Sequence, residues 1–156
     1  MITYAFHPDR LGSLTADPAD PVLRLANPLS EEQAMMRTSL LPGLLDTLRR
    51  NTLKQSLDVR LFELSKVFHP RPGADLPQEE HWLTGVMYGA RHEASWHAGR
   101  DDADFFDLKG VVENLLGGLL IPDIAWLTDD LPGYLAHGAR VLSGYRELGV
   151  LGELRP

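Results

Sequence analysis

The chain has 156 residues, with 15 Lys and Arg against 22 Asp and Glu, for a formal net charge of −7. That length can bury a core as a single domain over 1–156, and the acidic balance argues against a nucleic-acid surface spread over the whole molecule. Cysteine is absent, which excludes disulfides, iron–sulfur clusters and cysteine–zinc sites and fits a cytoplasmic protein.

No apolar run reaches the roughly 18 residues that a membrane span needs. The start, MITYAFHPDR, lacks the basic and apolar regions of a signal peptide. Strand-like patterns run close to both ends, so the chain reads as a piece cut from a longer protein, with Met1 added.

In chain order, residues 2–6 alternate and predict a strand. Pro8–Leu14 reads as a short helix with Pro in its first turn, and Thr15–Pro21 as a loop. Val22–Ala26 reads as a strand ended by Asn27-Pro28. Ser30-Glu-Glu-Gln33 has the form of a capping box.

Leucines at 40, 41, 44, 45 and 48 then mark one face of a helix. Ser39 is placed to cap it. Pro42 falls in the first turn, where a missing N–H costs nothing. Gly43 lowers helix stability by about 1 kcal/mol relative to Ala, which points to close approach by another segment. Arg49, Arg50 and Lys54 suit the negative end of the helix dipole.

Val59–Phe68 is the longest strand candidate, with Val59, Leu61, Glu63, Ser65 and Val67 on one face. His69–Glu80 reads as a hairpin loop, Trp82–Gly89 as the returning strand and Arg91–Asp104 as a polar loop. Asp104 or Asp107 caps a helix over Phe105–Leu116, which Gly117-Gly118 ends. Short strands are expected at Ile124–Leu127, Ala139–Ser143 and Gly149–Leu154. The sum is an α+β fold on a largely antiparallel sheet flanked by helices.

Candidate chemistry is sparse. His92 and His97 are five apart rather than the four that places two metal ligands on one helix face. With His81 and the run Asp101-Asp-Ala-Asp104 they could form a loop site for a metal-dependent enzyme. The plainer reading is a polar loop anchored by Trp96. No serine elbow, phosphate loop or dinucleotide fingerprint is present. Arg37, Arg49, Arg50, Lys54 and Arg60 could form a local patch for RNA phosphates, as in a stand-alone tRNA-binding module, or simply a solvated helix end.

Five blocks, "RLANPLSEEQAMMRTSLLPGLLDTLRRN", "VRLFELSKVFHP", "RHEASWH", "DFFDLKGVVENLL" and "GVLGELRP", together resemble the bacterial phenylalanyl-tRNA synthetase beta subunits over nearly the whole chain. The resemblance implies a fold similar to the class II aminoacyl-tRNA synthetase core. It implies a domain that does not itself activate the amino acid and has no catalytic, cofactor or metal residues of its own. Such a domain packs on a catalytic alpha subunit in an (αβ)2 heterotetramer. The parent enzyme, a phenylalanine–tRNA ligase, joins phenylalanine to its tRNA with ATP and magnesium.

By the same resemblance, residues 27–54 look like the class II interface motif, with Arg37, Leu40, Leu41, Pro42, Leu44, Leu45 and Leu48 on the packed side. Asp104–Gly110 looks like a structural helix start. Class II enzymes carry a Phe-Arg-x-Glu strand whose Arg and Glu share a face. Here Arg60 and Glu63 are three apart and point to opposite faces of a regular strand, so they read as a degenerate remnant of that nucleotide grip. Ala136–Arg140 departs from the family's His-Pro-Gly-Arg-type segment, and no role is carried over to His137 or Arg140.

Overall fold

A computed structural model of the chain describes residues 3–7, 22–28, 30, 34–92, 96 and 99–156. The expected helix Pro8–Leu14 and loop Thr15–Pro21 lie outside the described residues, as does most of the Ser30–Gln33 turn. The backbone divides into two compact units, Met1–Tyr88 and Gly89–Pro156. Its sheets are all antiparallel and small rather than one flanked sheet: two of two strands and one of three among the described residues.

In the first unit, β1 (Phe6–His7) pairs with β2 (Met35–Met36). Only two residues of the expected strand over 2–6 and its continuation are therefore laddered, and they fall at its far end. The expected strand Val22–Ala26 reduces to a bridge from Arg24 to Met35. Met36 N–H donates to Leu23 O and Arg37 N–H to Ala5 O, so this short strand is tied on both sides.

Helix α1 covers Leu41–Leu53, with Pro42 in its first turn. Ser39 stands one position before the helical cap. Leu40 occupies the cap position without a side-chain bond, while Ser39 Oγ accepts the Leu41 N–H at 3.2 Å. One orphan donor is thus satisfied from the preceding turn.

The helix ends at Lys54, and Gln55 takes φ +65°. Ser56 N–H donates to Asn51 O and Gln55 N–H to Thr52 O, which is the Schellman pattern.

β3 (Val59–His69) and β4 (Gln78–Tyr88) pair without a register break, from Val59 opposite Tyr88 to His69 opposite Gln78. β4 starts four residues before the expected Trp82. Gln78-Glu-Glu-His81 has no apolar alternation to announce a strand, and it is held by the ladder and by Lys66 Nζ on Glu79 at 2.7 Å. α1 lies against the β3–β4 ribbon. Met35, Leu40, Leu44, Val59, Val67 and Phe68 are buried in this unit.

The second unit opens with a bridge between Ala90 and Asp102. Helix α2 covers Phe105–Gly118 and carries a complete capping box. Asp104 accepts from the N–H groups of Phe106 and Asp107, and the Asp107 carboxylate accepts the Asp104 N–H. The two aspartates thus act together rather than as alternatives. Gly117 and Gly118 do not end the helix but belong to its last turn. Leu120, at φ +56°, takes the left-handed position, and Ile121 N–H closes on Leu116 O. This too is a Schellman end, fastened by apolar packing, because Leu116 and Ile121 share one core.

β5 (Ile124–Leu127), β6 (Leu135–Ser143) and β7 (Arg146–Leu154) form the third sheet in that order. Both hairpin strands begin before their apolar stretches. Gly144, at φ +57°, makes the two-residue turn between them. Leu116, Val141 and Leu151 are the centre of this core, with Phe105, Leu108, Val112, Ile121, Ile124 and Trp126 packed around them.

Candidate functional site

The most organised polar cluster lies in the first unit. Arg37 follows directly on β2, and its carbonyl accepts the Phe68 N–H at 2.9 Å. This stitches the end of β2 to β3 and turns the guanidinium inward. Glu63 projects from the face of β3 that also carries Val59, Leu61 and Val67. Glu63 is fully buried and Arg37 is 4 % exposed. A buried charge survives only when paired and hydrogen-bonded, and both conditions are met.

Arg37 Nη1 donates to Glu63 Oε1 at 2.9 Å. Its Nε donates to Lys66 O at 2.8 Å and its Nη2 to Ser65 Oγ at 2.5 Å. The Thr3 hydroxyl donates to Glu63, 2.7 Å from Oε2 and 3.0 Å from Oε1, and accepts from Arg37 Nη1 at 2.8 Å. Thr3 N–H also donates to Glu63 Oε1.

The residues singled out by sequence fall in different places. Arg60 is exposed on the opposite face of β3 from Glu63, so the two do not share a site. The partner of Glu63 is Arg37, which sequence reasoning missed as a partner. One signal pointed to it: a carboxylate sharing a strand face with Val59, Leu61 and Val67 demands a cation.

Of the residues assigned to a subunit surface, Arg37, Leu40, Pro42 and Leu44 are buried within this chain's own unit. Their packing surface is already used by the β3–β4 ribbon and by the charge cluster. Leu41, Leu45 and Leu48 are only half-buried. Arg49, Arg50 and Lys54 are exposed, and Arg50 is bonded to Asp46 one turn earlier.

A family model described as the phenylalanyl tRNA synthetase beta chain CLM domain matches residues 1–156. The phenylalanine–tRNA ligase beta subunit of Geobacter metallireducens is 42 % identical over 162 residues, covering 100 % of this chain and 20 % of that relative. The beta subunits of Geobacter sulfurreducens, over 162 residues, and Carboxydothermus hydrogenoformans, over 164, are each 41 % identical with the same shares covered. The chain belongs to the phenylalanyl-tRNA synthetase beta chain family. It spans about a fifth of the length of these relatives.

Other polar residues of this beta-chain domain serve its framework. Arg91 Nε donates to Asp107 at 2.9 Å and its Nη2 to Asp104 at 2.8 Å, so the chain entering the loop is tied to both capping carboxylates. The Asp107 carboxyl lies below the ordinary Asp range, because it accepts the Asp104 backbone N–H and then the Arg91 guanidinium. Arg140 pairs with Glu147 across the β6–β7 hairpin at 2.7 Å, and His137 is exposed.

His81 and His92 are exposed, and His97 lies outside the described residues. Among the described residues no group of three or more His, Asp or Glu side chains is placed to hold a metal ion. The outward face of the β3–β4 ribbon carries Phe62, Leu64 and Leu83, all exposed, with Leu64 directly opposite Leu83.

Proposed function

We propose that this chain is a non-catalytic, class II core-like domain of a phenylalanyl-tRNA synthetase beta subunit. It packs on the catalytic alpha subunit in an (αβ)2 heterotetramer in the cytoplasm and so supports ATP-dependent attachment of phenylalanine to its tRNA. Membership of the family supports this reading, and so does the order of β2, α1, β3 and β4. That order follows the interface motif and nucleotide strand of the class II resemblance.

One observation carries the non-catalytic part. Glu63 is committed to the buried Arg37 while Arg60 faces away from it. The two therefore cannot close on one nucleotide as an Arg and Glu sharing a strand face would. ATP and magnesium then belong to the parent enzyme rather than to this chain. The surface left for the alpha subunit is the half-buried side of α1, at Leu41, Leu45 and Leu48.

Isothermal titration of the 156-residue chain with ATP and phenylalanine, beside co-purification with a bacterial phenylalanyl-tRNA synthetase alpha subunit, tests the reading. The expected result is capture by the alpha subunit and no heat with either small molecule. Tight binding of both ligands by the chain alone would overturn it.

A further inference from the structure

The buried charge cluster reaches past β3 to the start of α1. An added Cβ at Gly43 would meet Thr3 Oγ1 at 3.4 Å and Thr3 Cγ2 at 3.7 Å. The side chain of Thr3 therefore sits between Gly43 on the first turn of α1 and the Arg37–Glu63 pair. That turn is capped from Ser39, whose Oγ accepts the Leu41 N–H, and not from the cap residue Leu40 itself.

The hydroxyl of Thr3 is suited to its place. Its single proton goes to the Glu63 carboxylate, and its lone pair takes an N–H from Arg37 Nη1. Both Oγ1 and Cγ2 lie beside Gly43, with Oγ1 the nearer to its Cβ position. Arg37 Nη1 also reaches Tyr4 O at 3.3 Å, which fastens the backbone beside Thr3.

We infer that Thr3 is a positioning residue: held by the Arg37–Glu63 pair, it locks the first turn of α1 and so sets how Leu41, Leu45 and Leu48 are presented. The presentation part rests on the proposed docking of α1 to the alpha subunit, whereas the lock itself does not. Valine matches threonine in shape but supplies no hydroxyl, leaving a carboxylate oxygen and a guanidinium N–H each one partner short. Serine keeps the hydroxyl and loses only the methyl.

Amide hydrogen exchange on the full 156-residue chain separates these two changes. In T3V the α1 amides exchange about tenfold faster or more, the loss expected for a hydrogen bond to a charged group. In T3S they stay near the parent rate. Exchange in T3V equal to the parent, or T3S behaving like T3V, overturns the lock.

Capture by the alpha subunit is measured on the same proteins. Weaker capture of T3V than of the parent, restored in T3S, supports the presentation role. Equal capture of T3V and parent overturns that role and leaves the lock standing. Failure of the parent chain to be captured overturns the docking reading alone, because the exchange rates do not depend on it.

Discussion

Glu63 has no solvent exposure, and four donor contacts from Arg37 and Thr3 converge on its carboxylate. Removing one member of such a pair strands the other in a low-dielectric interior. Arg37→Met and Glu63→Leu alone are each expected to cost about 3–5 kcal/mol. The double substitution is expected to cost several kcal/mol less than the sum, because both desolvation penalties leave together. Urea unfolding of the two single variants and the double variant measures this, and simple additivity would show that the pair is not coupled.

A second residue-scale effect belongs to Asp107, whose folded pKa is depressed by the Asp104 N–H and then by Arg91. A depressed acid stabilises the fold above its unfolded value, and the contribution is lost as pH falls through the lower folded value. The window therefore opens near the ordinary Asp value of about 4 and extends below it. Acid titration of stability should be shallower there for D107N than for the parent.

At the scale of elements, α1 and α2 each end in a Schellman turn without glycine, at Gln55 and at Leu120. The left-handed conformation is unfavourable for a residue with a Cβ by about 1–2 kcal/mol. Leu120 is 87 % exposed, so L120G discards little packing. Part of the gain is offset by the greater freedom of glycine in the unfolded chain. L120G is expected to raise stability by about 0.5–1 kcal/mol, read from thermal or urea unfolding.

Gly138 and Gly152 of the β6–β7 hairpin behave in the opposite way. Gly138 lies directly across from Gly152, and a Cβ at Gly138 would stand 2.5 Å from Leu151 O. Backbone on the facing strand cannot yield as a flexible side chain can. G138A should lose at least about 1–3 kcal/mol, the usual range for overpacking, with exchange rising in β6 and β7. Gly110, with open space around its Cβ position, should accept alanine and gain up to about 1 kcal/mol in helix propensity.

These elements were unevenly legible. α2 stood out because an apolar period and a cap coincided, and β3 because of its length and its two-residue alternation. The polar start of β4 did not, because Gln78–His81 is a strand by virtue of its partner residues Lys66–His69.

Across the whole molecule, net charge −7 and two compact units frame the remaining expectation. The exposed cations at Arg49 and Lys54 are few against an acidic background. Filter binding of the chain alone to phenylalanine tRNA should show no sub-micromolar affinity at physiological salt. Affinity that falls steeply with salt would instead establish a phosphate-binding surface on this domain. The site was less legible than the fold for a related reason. Arg37 and the leucines of α1 were assigned to a surface by resemblance alone, and periodicity cannot tell a stripe buried in its own chain from one covered by another.

Local pattern was sufficient for the α+β class, for Pro42 opening a helix, for a cap at Asp104 or Asp107 and for the opposed directions of Arg60 and Glu63. Each depends on residues within a few positions of one another, where backbone geometry leaves little choice. The pairing of Arg37 with Glu63, the approach of Thr3 to Gly43 and the division of the leucine stripe into buried and half-buried members came only with the folded chain. They join segments separated by tens of residues, and burial of the charges is tolerated only because folding brings every partner into place at once.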